Sequence, residues 1–173
     1  MADKLILSLR DSLGPEGVLT GADVTARRAG IWGEEPIRAR AIFRPRTTAE
    51  VATVLSACTR AGQSVVAHGG LTGLVEGALT TPEDVVLSLE RMNHVEAIDE
   101  VGRTMTVQAG ATLQHAQEQA EAKGLMLPLD LGARGSCTLG GNAATNAGGG
   151  SSETNFWISF RETYSAVCEV TAR

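Results

Sequence analysis

The spacing of apolar positions divides the chain into short elements. Leu5, Leu9 and Leu13 recur at helical spacing, and Gly14-Pro15 closes the pattern, so residues 1–14 are expected to form a short amphipathic helix. Residues 15–40 keep no period. They are expected to form a turn-rich run over the domain surface, anchored by Ile31 and Trp32. From residue 41 the pattern sharpens. Ala41-Ile42-Phe43 stands ahead of Pro45, which favours an extended backbone. Thr47 and Glu50 have capping-box spacing. Val51, Val54, Leu55 and Cys58 then share one helix face, and Gly62 is placed to end that helix in a left-handed cap. Ser64 to Ala67 is expected to be a short buried strand. The resulting strand–helix–strand unit runs straight into His68-Gly69-Gly70-Leu71-Thr72-Gly73-Leu74.

Val85 to Leu89 predicts another strand. Val95 to Ile98 and Thr104 to Gln108 flank Asp99-Glu100-Val101-Gly102-Arg103, the layout of an antiparallel hairpin. Thr112 is placed to cap a helix running to Lys123, with Gly124 after it. Leu125 to Leu131 is apolar and interrupted by Pro128. In the following stretch, GARGSCTLGGNAATNAGGG, nine of nineteen residues are Gly or Asn, which predicts neither helix nor regular strand. The fold class expected is α+β, with two Gly-rich loops. Residues 1–40 are a lead-in, 41–150 the main domain, and 151–173 a tail in which Val167 to Val170 reads as a strand.

Composition narrows the picture. A chain of 173 residues is long enough for a domain with a real core. Hydrophobic residues at 43% and charged residues at 20% exclude a disordered chain, and aromatics at 3% argue against a ligand cage built on rings. Lys plus Arg number 15 against 20 Asp plus Glu, a formal charge of −5 with no basic stripe, which argues against general nucleic-acid binding. No apolar run approaches the roughly 18 residues of a membrane span. The first residues carry no apolar signal core with a small-residue cleavage site. Cys58, Cys137 and Cys168 are too widely spaced for a zinc site or a disulfide framework, so reduced thiols and a cytoplasmic setting are expected.

Chemistry concentrates in the two loops. Glycines after a buried strand let successive backbone N–H groups converge on phosphate oxygens without Lys or Arg, and Thr72 adds a hydroxyl. The loop lacks the lysine of a Walker motif and the GxGxxG of a dinucleotide-binding turn, so taken alone it is equally a tight turn. The second segment is too long for a plain connector. It carries Gly135, Ser136, Thr138, Gly140, Gly141, Asn142, Ala144, Thr145 and Asn146, whose amides and hydroxyls suit a polar ligand. Asp130 beside it is expected to brace the loop, and His94 and His115 are isolated.

The pair HGGLTGL and PLDLGARGSCTLGGNAATNAGG resembles the FAD-binding (PCMH-type) domain of the vanillyl-alcohol oxidase and p-cresol methylhydroxylase family. Within that family it is most similar to the D-2-hydroxy acid dehydrogenases. Phe43-Arg44-Pro45-Arg46-Thr47-Thr48-Ala49-Glu50-Val51 and Leu89-Glu90-Arg91-Met92-Asn93 resemble further family motifs. The resemblance covers residues 15–150. It implies two small subdomains with FAD extended between them. The first loop, His68 to Leu74, would hold the pyrophosphate. Pro128, Leu131 and the second segment would contact the ribityl chain, pyrophosphate and flavin ring. His68 stands where relatives often have Arg or Gln, and its readings are a noncovalent contact, a turn residue or, as the lesser alternative, covalent flavin attachment. Glu76 near a pyrophosphate would be repulsive unless it points to solvent.

The resemblance implies oxidation of a D-2-hydroxy acid by hydride transfer to flavin N5. In the family the base and the cations that hold the substrate carboxylate come from a later domain, so no catalytic residue is assigned and no metal is expected. The chain is expected to be truncated, with residues 151–173 departing from the family pattern. Two alternatives follow: a non-catalytic flavin-binding module that takes a separate cap subunit, or an inactive fragment.

Overall fold

The computed structural model describes residues 2–30, 35–147, 158–160, 165–169 and 171–172, the strands after residue 147 by their backbone alone. Ile31 and Trp32, expected as anchors, lie outside the described residues. The chain divides into two compact units, Met1–Arg91 and Met92–Arg173, as the two-subdomain expectation requires.

The first unit runs α1 (Ala2–Leu13), a single 3-10 turn (Pro15–Gly17), β1 (Val18–Thr20), α2 (Ala22–Thr25), β2 (Ala41–Phe43), α3 (Thr48–Ala61), β3 (Val65–His68) and β4 (Val85–Ser88). Its sheet has the order β1-β2-β4-β3. β2, β4 and β3 are parallel, in a register that sets Phe43 opposite Leu87 and His68 opposite Ser88, while β1 joins β2 antiparallel. α3 forms where the capping residues put it. The Thr47 hydroxyl accepts the Glu50 N–H at 3.2 Å, and the Glu50 carboxylate accepts the Arg46 N–H at 2.6 Å. Gly62, at φ 63°, ends the helix in the left-handed conformation that glycine adopts without steric cost.

Two expectations change here. The stretch 15–40 is not a surface cover. It supplies β1 and α2, and Val24, Ala29, Ile37 and Ala39 pack with Ile42 and Val86 in the core. The short strands had no visible period because three residues are too few to show one. β3 was expected to be buried, but it is an edge strand: Val65 and Val66 are half-buried and Ala67 is exposed, while β4 beside it is buried throughout.

The second unit runs β5 (Val95–Asp99), β6 (Thr104–Gln108), α4 (Leu113–Glu121), β7 (Leu125–Met126), α5 (Leu139–Ala144), β8 (Ile158–Phe160), β9 (Ser165–Glu169) and β10 (Thr171–Ala172). A four-stranded antiparallel sheet has the order β5-β6-β9-β8, and β7 pairs with β10. The hairpin turn is held by Asp99, whose carboxylate accepts the N–H groups of Val101 at 3.0 Å and Gly102 at 2.8 Å. The core is built from small and aliphatic side chains: Met105, Val107, Leu113, Ala116, Ala120, Leu125, Leu127, Leu129 and Leu139. The tail enters this unit by pairing. β9 lies along all five residues of β6, from Thr104 opposite Glu169 to Gln108 opposite Ser165.

A third correction falls in the Gly-rich second segment. Its composition predicts neither helix nor strand, yet Leu139–Ala144 is a helix. Thr138 caps it by accepting the Gly141 N–H at 3.3 Å, and Leu139 and Asn142, one turn apart, are both buried. Among the described residues no helix is long and apolar enough to cross a membrane, and no group of three His, Cys, Asp or Glu is placed to share a metal ion. Cys58 and Cys137 are buried free thiols.

Candidate functional site

The parallel strands of the first unit end at one edge of its sheet. Ligands of such sheets bind outside the carboxyl ends of the strands. β3 ends at His68 and delivers the first Gly-rich loop there. β4 ends at Ser88 and is followed by Leu89-Glu90-Arg91, and β2 ends at Phe43 and is followed by Arg44. The Leu89 N–H donates to the His68 carbonyl at 3.1 Å, so the β3–β4 ladder continues to the start of the loop.

The loop presents unpaired donors. No backbone N–H from Gly69 to Val75 donates to another described residue. Leu71 adopts the left-handed conformation, φ 57°, that a nest of successive N–H groups needs at one of its positions. Gly70, Leu71 and Thr72 are half-buried, and Gly73 and Leu74 are exposed. A Cβ added at Gly73 would meet nothing within 4 Å. Backbone donors without a protein partner and open space beside Gly73 make this loop a candidate cradle for an anion.

His68 is placed differently from its neighbours. It is 3% exposed, and its Nε2 lies 2.8 Å from the Ala78 carbonyl, to which it donates. Burial lowers the imidazole's pKa. The Ala78 contact works against that, Arg27 adds to the lowering and Glu90 opposes it, leaving a net fall from 6.5. The ring is therefore neutral at pH 7 and carries its proton on Nε2.

Beside the loop lies an arginine network that the sequence did not announce. Arg27 grips the Glu90 carboxylate with two bonds, at 2.7 and 3.0 Å, and Arg44 faces the same carboxylate. Burial pushes the Glu90 carboxyl up, but the Arg27 bond and charge, with Arg44 behind them, outweigh it and hold the group below its ordinary 4.5. Arg91 donates to the Arg44 carbonyl at 3.1 Å, and both Arg91 and Arg46 approach Glu16, at 3.9 and 3.8 Å. Four arginines thus share two carboxylates at this edge. The local excess is positive although the chain is acidic. Glu90 and Arg91 lay within a quoted motif, but their partners Arg27 and Glu16 are far off in sequence and gave no signal.

The second segment is built as a packed cap. The N–H groups of Ser136 and Cys137 both donate to Ala133 at 2.8 Å, and Leu113 donates to Cys137 at 3.1 Å, which ties the turn to the start of α4. Gly140 donates to the Ala109 carbonyl at 2.9 Å, and a Cβ at Gly140 would stand 2.6 Å from the Ala109 Cβ. Only glycine fits there, and the reason is packing on the end of β6. Asn142 is 5% exposed, with its amide against the Cys137 sulfur at 3.5 Å. Of the site residues expected in this segment, Thr138, Gly140, Gly141 and Asn142 are thus engaged within the fold. Gly135, Ser136, Ala144, Thr145 and Asn146 are exposed, the Thr145 hydroxyl donating to the Gly141 carbonyl at 2.9 Å. Pro128 and Leu131 are half-buried, and Leu131 packs against the core of this unit. Asp130 pairs with Arg134 at 3.7 Å on the surface, as a loop brace. His94 is exposed and His115 half-buried.

A family model described as "FAD binding domain" matches residues 39–159. The chain belongs to that family. Its cofactor is FAD, and its fold is of the PCMH type. This FAD-binding domain is 43% identical over 110 residues to the mitochondrial D-2-hydroxyglutarate dehydrogenase of Bos taurus, covering 64% of this chain and 20% of that protein. It is 40% identical over 157 residues to the D-2-hydroxyglutarate dehydrogenase of Xanthomonas citri pv. viticola, covering 86% and 32%. The chain therefore spans between a fifth and a third of the length of these curated relatives. Among solved structures it is similar to an alkyldihydroxyacetonephosphate synthase, with TM-score 0.85 and 17% identity over 98% of this chain and 40% of that one. It is also similar to p-cresol methylhydroxylase with substrate bound, with TM-score 0.70 and 19% identity over 82% and 29%. At those identities the likeness is one of fold, and the FAD-binding domain shares the fold of these two proteins.

Proposed function

We propose that the first loop, Gly69 to Gly73, holds the FAD diphosphate on its backbone N–H groups, and that this domain is the FAD-binding portion of a D-2-hydroxy acid dehydrogenase. The run of unpaired N–H groups at the carboxyl edge of the parallel strands carries the reading. Thr72 adds a hydroxyl to the same cradle, and the arginine network beside it makes the local field attractive to an anion. The resemblance assigns the ribityl chain and flavin ring to the second segment, whose exposed groups are Gly135, Ser136, Ala144, Thr145 and Asn146. When bound, FAD supplies the acceptor for the hydride that a D-2-hydroxy acid gives up from its carbinol carbon. The residues of this chain bind and orient the cofactor, and none is assigned to take the substrate's hydroxyl proton.

Gly73→Asp tests the cradle without disturbing the fold, because a Cβ there meets nothing within 4 Å. A carboxylate about 5 Å from a phosphate, at an effective dielectric near 20, costs about 3 kcal/mol, or roughly a hundredfold in affinity. FAD affinity is read from flavin fluorescence, and acid precipitation of the coloured wild-type protein separates free from covalently held flavin. Undiminished FAD affinity in Gly73→Asp refutes the assignment of the diphosphate to this loop.

A further inference from the structure

The imidazole of His68 and the carbonyl of Ala78 join two points ten residues apart, and the cradle lies between them. The bond spans from the end of β3 to the far side of the loop, at 2.8 Å, from a side chain that is 3% exposed. At its far end Ala78 also packs against the core of the first unit, but the residues between have few contacts of their own. Just past its end the Leu79 N–H donates back to the Glu76 carbonyl at 3.0 Å, but the N–H groups from Gly69 to Val75 donate to no described residue. Two of its non-glycine residues, Leu71 at φ 57° and Glu76 at φ 59°, hold left-handed conformations that are costly for L side chains and persist only where surrounding structure supports them. Leu71 is half-buried, while Glu76 is exposed and Leu74 and Val75 are 65% and 86% exposed, and His68 is the buried side chain that hydrogen-bonds across the segment.

We propose that His68 is a positioning residue for the cofactor: by tying the end of β3 to Ala78 it closes residues 69–77 into a loop of fixed shape, and so presents the N–H groups already arranged for a dinucleotide diphosphate. This rests on the assignment of the diphosphate to the first loop. Preorganisation of this kind raises affinity by removing the ordering cost from the binding step. It also gives His68 a noncovalent role, carried by the Nε2 bond to Ala78. The charged groups that act on the ring are Arg27 and Glu90, already paired with each other, and the Nε2 bond goes to the Ala78 carbonyl.

The test uses isosteres in the full 173-residue chain. Glutamine places its amide nitrogen near the position of Nε2 and asparagine near that of Nδ1. His68→Gln therefore keeps the bond to Ala78 and His68→Asn loses it, at equal polarity. Two readouts are taken: hydrogen exchange across residues 69–78 without flavin, and FAD affinity by fluorescence. The expected result is exchange and affinity near wild type for His68→Gln. His68→Asn should exchange at least tenfold faster in this segment and bind FAD at least tenfold more weakly, with unchanged circular dichroism. Equal exchange in the two variants overturns the tie. Faster exchange in His68→Asn with unchanged FAD affinity overturns the positioning role if Gly73→Asp still weakens binding about a hundredfold. If Gly73→Asp also binds normally, the diphosphate assignment itself has failed.

Discussion

Gly140→Ala should destabilise the protein although it places a better helix former inside a helix. On propensity alone the change gains about 1 kcal/mol. The structure sets a larger opposing cost. The new Cβ would stand 2.6 Å from the Ala109 Cβ, 2.7 Å from its carbonyl oxygen and 3.0 Å from its Cα, and two of those three atoms are backbone. Overpacking of this sort costs about 1–3 kcal/mol. Moving α5 away also lengthens the Gly140 N–H bond to the same carbonyl, now 2.9 Å, worth about 1 kcal/mol. The net loss is about 1–3 kcal/mol, or a fall in Tm of about 5 °C for a chain of this size. Thermal and urea unfolding followed by circular dichroism measure it. Gly73→Ala, where the Cβ meets nothing, is the comparator and should stay within about 0.5 kcal/mol of wild type. Ala109→Gly should recover part of the loss in the double variant, since it removes one of the three clashes. A Gly140→Ala protein at least as stable as wild type refutes the packing of α5 on the end of β6.

Two further predictions concern pH. Glu90 is held below its ordinary carboxyl value, so its network contributes stability that is present above about 4.5 and lost as pH falls through the lowered value. Urea unfolding of Glu90→Gln should lie below wild type at pH 7 and converge with it in acid; parallel curves would show that the network does not titrate. His68 is lowered from 6.5 by burial, so the unfolded chain takes up its proton first and stability falls as pH drops from 6.5 toward the folded value. His68→Gln should flatten that limb in the same assay, and an unchanged limb would place the titration elsewhere.

Local chemistry made part of this fold legible. Thr47, Glu50 and Gly62 mark both ends of α3, and Asp99 with Gly102 marks a hairpin, because capping and turn residues act on their own neighbours. The fold class and the cofactor were legible too, through the motifs around His68-Gly69-Gly70 and Gly140-Gly141-Asn142. The partners of those residues were not. Nothing in the string HGGLTGL shows that its histidine bonds a carbonyl ten residues on, and nothing in TLGGNAA shows that Gly140 must clear Ala109. α5 is hidden by its glycine composition, although the Thr138 cap and the Leu139–Asn142 spacing mark it. Those signals were present, and tertiary packing overrode the poor helix propensity of two glycines.

The remaining question of charge is one that distance decides. A chain of formal charge −5 holds an anionic cofactor, and Glu76 sits in the loop assigned to the diphosphate. Its residue is exposed, at a turn whose backbone carbonyl accepts the Leu79 N–H at 3.0 Å. Two phosphate charges about 10 Å from a carboxylate in water repel it by about 0.8 kcal/mol, and physiological salt, with a screening length near 8 Å, reduces that to about 0.2 kcal/mol. The arginine excess at the same edge acts in the opposite sense over a similar range. Glu76→Gln should therefore tighten FAD binding by less than about twofold at physiological salt, and by more as salt is removed. A tenfold gain at physiological salt would mean that the carboxylate stands within a few ångströms of the phosphates, on the inner face of the loop, and the open-cradle geometry would be wrong.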